Sequence, residues 1–235
     1  MFPGFPAEAL KFFRSLAKNN NREWFQPRKE IFETQVKEPM LALVEAINAE
    51  FAKFAPEYIT EPKKAVYRIY RDLRFSQDKS PYKTHIAAAF SRRSGAKEGS
   101  GGHGTSAGYF FSIGAKEIGI AGGVYEPSPE QMYAVRTWLA ENHAGFRKLC
   151  RPAEKLMGEM HGESLTRMPK GFPTEHAAED LLKRKRWIYW AALDAKLATS
   201  PKILPELIKH FKAMLPMMEA LNQPLSAKSA PRFFK

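Results

Sequence analysis

A single cysteine, Cys150, stands among 235 residues. It excludes an intramolecular disulfide and any cysteine-rich zinc site, and a cytoplasmic setting is the simplest one for such a chain. No stretch comes near the roughly 18 uninterrupted apolar residues of a membrane span. The opening MFPGFPAEALKFFRSLAKNN has no basic run and reaches no small-residue cleavage site, so it does not read as a signal peptide. Six histidines (85, 103, 143, 161, 176 and 210) form no HxH or HxxxH pair, and no metal site is expected. There is no GKS or GKT phosphate loop, no GxSxG elbow, no RNP-like octet and no internal repeat. No motif names a cofactor, none sets the oligomeric state, and no membrane partner is expected.

What the chain does have is positive charge. Lysine and arginine number 37 against 25 aspartate and glutamate, a net charge of +12, with a pI near 9.7. Such a balance favours anionic partners: nucleic acid, nucleotides, phosphorylated metabolites or an acidic surface. The competing reading is that excess lysine serves solubility alone. At 44% hydrophobic and 26% charged, the composition is that of an ordinary globular protein with material for a proper core.

Periodicity gives the order of elements. Residues 7–18 show a helical stripe, Asn19–Asn21 break it, and REWFQPRKEIFETQVKE reads as a second helix. Pro39 marks a new start, from which Leu43, Ile47 and Phe51 line one face until Pro56. The period then changes to two. In KAVYRIYRDLRF (64–75) the odd face is apolar except for Arg71, which implies either a bulge or an arginine drawn inward to meet an acid. SQDKSPYK reads as a turn, followed by strands THIAAAFS, AGYFFSI and EIGIAGGVY, the last two joined by a hairpin at 114–116. Between them, 92–106 is glycine-rich and polar and reads as a loop. Ser128-Pro129-Glu130-Gln131 is a helix start. A short helix is expected over 152–160, another in EHAAEDLLKRK, a late strand in WIYWAAL, and a final helix after Ser200-Pro201.

Helices, then strands, then helices with one late strand argue for an α+β fold. The expectation is a mainly antiparallel sheet of about five strands with helices from both ends of the chain packed on it. No linker is evident, so residues 1–235 read as a single domain: N-terminal helices over 7–55, sheet over 64–125, and C-terminal helices plus the late strand over 128–222.

Four stretches resemble the signatures of one family: NNNREWF (19–25), RIYRDLRFSQDKSPYKTH (68–85), IAGGVYEPSPEQMYAVR (120–136) and MPKGFPTEHAAEDLLKRKRW (168–187). The resemblance is to domain-of-unknown-function family 2461, a group of bacterial and fungal hypothetical proteins. It spans nearly the whole chain in order, and it implies a single domain with Arg68, Arg71, Asp72, Arg74, Asp78, Lys79, Tyr82 and Lys83 as motif positions. It brings no activity with it.

The charge is densest in the second signature. Between Lys63 and His85, lysines and arginines at 63, 64, 68, 71, 74, 79 and 83 face only Asp72 and Asp78. Arginine offers a planar fork of donors that matches carboxylate or phosphate. Arg68, Arg71 and Arg74, closed over by Lys79 and Lys83 with Tyr82 and His85, therefore make a candidate site for an anionic, phosphate-bearing small molecule. Asp72 and Asp78 are the acid–base candidates, with His85 as a further proton acceptor. The competing reading is an internal ion-pair network, Arg71 with Asp72 or Asp78, that pins a turn. A second functional reading is a non-catalytic nucleic-acid-binding protein that uses the basic surface, the interleaved aromatics and the 92–106 loop. His176 and Asp180, four apart, would share a helix face as half a metal site or an acid–base pair, but a solvated face explains them as well. Gly122 and Gly123 read as a close backbone approach or a bulge, and Cys150 as a buried, inert thiol.

Overall fold

The computed structural model describes residues 2–72, 74, 77–92 and 106–226. The chain is α+β. Helix α1 (Ala7–Lys18) carries Leu10, Phe13 and Leu16 on its buried face and stops at Asn19, whose backbone N–H donates to Ser15 and Leu16. Asn21 then caps α2 (Arg22–Phe25) by accepting the Trp24 N–H at 2.8 Å. A 3-10 turn (Gln26–Arg28), α3 (Lys29–Phe32), a π-helical stretch (Glu33–Lys37) and α4 (Glu38–Phe54) follow without a break.

Pro39 sits in the first turn of α4, where a new start was expected, although the helical backbone before it runs in without a break. A proline has no N–H to offer the preceding turn. The backbone just before it widens to a longer register, in which the Glu38 N–H reaches the Glu33 carbonyl.

After α5 (Pro62–Ala65) come β1 (His85–Ser91), β2 (Gly108–Gly114) and β3 (Glu117–Val124). With β4 (Trp187–Asp194) they form a four-stranded antiparallel sheet of order β1-β2-β3-β4. Of the five strands expected, the one over 64–75 is not formed among the described residues. Its start lies in α5; among the described residues beyond it, Val66 makes a single bridge to Ala88 of β1, and Tyr70 one to Tyr82, which precedes the sheet. Those bridges do not share a register: residues 67–69 lie opposite residues 83–87, a mismatch that interrupts the ladder. Leu73 and Phe75 of that expected strand, and 93–105 of the expected loop, lie outside the described residues.

By its internal contacts the chain divides into two compact units. The first comprises Met1–Phe90, Phe110–Ile120 and Ala192–Lys209, and the second Ser91–Tyr109, Ala121–Ala191 and His210–Lys235. Aromatic rings fill the core of the first. Phe12 meets Phe13, Phe25 and Phe32, while Phe51 packs edge-on against Phe90 of β1 at 5.0 Å.

In the second unit, α6 (Pro129–Met157) opens with a capping box in which Ser128 and Gln131 satisfy each other's backbone N–H. The helix runs unbroken through Pro152, where a new short helix was expected, and buries Leu139, Phe146, Cys150, Ala153 and Met157. That continuous apolar stripe is what offsets the missing N–H. Helix α7 is only Glu179–Leu182, so His176 precedes it and shares no helix face with Asp180. The last helix, α8, is Ile203–Ser226. Within the second unit it packs Phe211 on Tyr109 at 4.8 Å and sets Met214 where a Cβ on Gly122 would collide. Gly123 has φ of 134°, and a Cβ there would lie 2.0 Å from the Trp187 carbonyl oxygen, so the close approach read from the two glycines is present. Among the described residues no helix is long and apolar enough to cross a membrane.

Candidate functional site: a cationic ribbon

The second signature folds back on itself in the first unit. The Arg71 N–H donates to Pro81 O at 2.9 Å and the Lys83 N–H to Ile69 O at 2.8 Å. This frames Tyr70 and Tyr82 as an antiparallel pair without direct backbone bonds between them, the pair type whose side chains lie closest. Their rings are 5.4 Å apart. Because side chains alternate along an extended backbone, Arg71 and Lys83 project from the opposite face. The Lys83 ammonium sits 5.2 Å from the centre of the Tyr67 ring on that face.

The first signature holds the ribbon in place. The Asn20 amide pairs with the backbone of Tyr82 in both directions, donating to its carbonyl at 2.9 Å and accepting its N–H at 3.0 Å. Phe25 stacks on the Tyr82 ring at 4.1 Å. Tyr82 is thereby buried, and burial pushes its phenol above the usual tyrosine range. Two sequence signatures sixty residues apart thus meet at one side chain.

The arginines separate into two groups. Arg74 is gripped by Asp72 in fork-to-fork fashion, Nε to Oδ1 at 3.1 Å and Nη2 to Oδ2 at 2.8 Å, out in solvent. Hydrogen bonds from the Arg74 side chain and then its backbone pull the Asp72 carboxyl down to about 2. Arg71 instead turns inward. Its side chain is 24% exposed, and Nη2 meets Asp78 Oδ2 at 2.9 Å. The Arg71 Nε is buried with no partner among the described residues. Asp78 is also held low, first by the Ser80 N–H, then by the Ser80 hydroxyl, with a smaller contribution from Arg71. Arg68 is exposed, and its charge is felt both by Asp72 and by Lys83. Lys79 stands exposed on the turn.

Lys83 and His85 are the perturbed cations. Burial lowers the Lys83 ammonium, and Arg68 and Arg71 lower it further. Burial likewise lowers His85, followed by the charges of Lys83 and Arg71. Positive groups are crowded here in a partly dry place, and no carboxylate contributes to either shift. Asp72 and Asp78, by contrast, are firmly ionised, and a carboxylate held that low is a poor proton acceptor near neutral pH. His85, kept neutral, is the better one.

The remaining sequence candidates are tied up elsewhere. Arg147 grips Asp180 with two contacts of 2.6 and 3.0 Å. The His176 Nδ1 accepts the Ala178 N–H. Cys150 is buried, which pushes its thiol up to about 12. Among the described residues no group of three His, Cys, Asp or Glu side chains is placed to hold a metal. Asn20, which clamps Tyr82, is the residue that the sequence reading gave no part in the site. The signal for Asn20 was three successive asparagines where helix capping needs only two.

An α+β chain whose most charged segment is a braced, cationic ribbon is thus the class that fold and geometry define. It belongs to the family described as conserved hypothetical protein, DUF2461, whose profile matches residues 8–219, most of the chain. No curated protein and no solved structure matches it.

Proposed function

We propose that the protein binds a small, phosphate-bearing anion on the Arg71–Lys83–His85 face of the ribbon. The observation behind this reading is the crowding of three positive or protonatable side chains, two of them lowered by burial and mutual repulsion. Such an arrangement is costly when empty, and an anion seated there would relieve it. The buried Nε of Arg71, without a partner among the described residues, supplies a donor for one of its oxygens. Arg68 adds long-range attraction, Arg74 and Lys79 lie on the approach, and Tyr82 serves through its packing. Asp72 and Asp78 enter as carboxylates that orient arginines, and His85 as the group able to accept a proton from a bound ligand.

Inorganic phosphate and a simple phosphate monoester are the probes. Titration is expected to be saturable and to raise the His85 pKa, followed by its ring NMR signals, because a nearby negative charge favours imidazolium. Arg71→Ala and Lys83→Gln are each expected to weaken binding by roughly ten-fold or more while the circular dichroism spectrum is kept. If both variants bind as the parent does, or if both unfold, the ribbon is a structural ion-pair network instead.

A further inference from the structure

The 66–70 limb of the ribbon borders a groove of about 610 Å³, within the range of small-molecule sites. Its floor is apolar, with Phe25, Phe32, Ile69 and Ile86 all buried. Its rim is charged unevenly. Lys37 is taken by Glu33 at 2.6 Å, which leaves Lys29, Lys63 and Arg68 against Glu38 alone. None of those three cations makes an ion pair among the described residues. Tyr70 also lines the groove, beside Val66 and Tyr67. It is 45% exposed and meets Phe25 and Tyr82 in tilted ring contacts, so part of its ring is open to a ligand.

The helical wall of this groove is also where the backbone departs from regular α geometry, through the π-helical stretch Glu33–Lys37. Such widened turns occur disproportionately at functional sites. Glu33 and Lys37 from this turn both line the groove.

We infer that this groove is a second binding site, for an aromatic anion. The ring of the ligand lies on Tyr70 above the apolar floor, and its anionic group is held by Arg68, Lys63 and Lys29. A bare inorganic anion would leave the floor unfilled, and a neutral arene would leave the three cations uncompensated. Arg71, Lys83 and His85 do not line the groove, although their neighbours Tyr67 and Arg68 do, and the site stands without that cluster.

Phenyl phosphate is the probe, with inorganic phosphate and phenol as controls, followed by calorimetry and by amide NMR shifts of the full chain. Phenyl phosphate is expected to bind at least about five-fold tighter than either control, through stacking added to charge pairing. Amides at 29–41 and 63–70 are expected to shift. Lys63→Gln and Tyr70→Leu, both at exposed positions, are each expected to remove most of that preference, whereas Lys83→Gln leaves it intact. Equal affinity for phenyl phosphate and inorganic phosphate would overturn the inference. So would shifts confined to 71 and 81–85, or a preference that survives both groove variants.

Discussion

Lys83 shows how one residue can oppose the fold that holds it. Its ammonium is partly buried, leans on the Tyr67 ring, and has Arg68 and Arg71 as its charged neighbours. A lysine whose folded pKa is lowered costs stability at every pH below its ordinary range, since the unfolded chain holds the proton more easily. Lys83→Met removes that penalty and keeps most of the side-chain volume. We expect it to raise Tm by roughly 2–4 °C without phosphate and to abolish the further rise that phosphate gives the parent. A Tm that falls would mean the ammonium is stabilising and the crowding argument is wrong. At this scale the sequence was informative about which residues are charged and close in the chain. It left Arg71 with either Asp72 or Asp78, and only the structure chose Asp78 for Arg71 and Asp72 for Arg74 and so divided the two guanidiniums into separate groups.

At the scale of elements, most of what the sequence suggested rests on local rules, and those held where they were local. The helix break at Asn19–Asn21, the serine start at 128 and the four strands β1 to β4 all appear where expected. Two readings failed for non-local reasons. The 64–75 run alternates as a strand should, yet a register mismatch with 83–87 keeps it to single bridges. Pro152 reads as a boundary, yet the buried stripe on either side keeps α6 continuous. Gly123 is where the sheet depends on a single missing atom. Gly123→Ala would force a side chain into a left-handed conformation and against the Trp187 carbonyl. The expected cost is about 2 kcal/mol or more, seen as a Tm lower by roughly 4 °C or more. An unchanged melting curve would show that β3 and β4 can separate there freely.

The charge of the whole molecule, +12, bears on association rather than on fold. It sets up a contrast between the two functional readings. A basic surface that follows a nucleic-acid backbone loses affinity steeply with salt, with a slope close to the number of phosphates neutralised. A phosphate-bearing small molecule held by a partly buried cluster is far less sensitive. Phosphate-monoester binding is therefore expected to weaken by less than about three-fold between 50 and 200 mM salt. A loss of hundreds-fold over that range, together with tight binding of a single-stranded oligonucleotide, would favour the nucleic-acid reading.

By itself the sequence determined the α+β class, the order of helices and strands, and the segment in which positive charge is concentrated. Each of these depends on neighbours a few residues apart, through side-chain periodicity, caps and composition. Only the tertiary structure decided that Asn20 and Phe25 clamp Tyr82, that the ribbon sends Arg71 and Lys83 to one face and Tyr70 to the other, and that a groove opens beside Tyr70. Those outcomes depend on register and on contacts made across sixty or more residues, and no local pattern encodes which face of a mismatched pair a side chain will occupy.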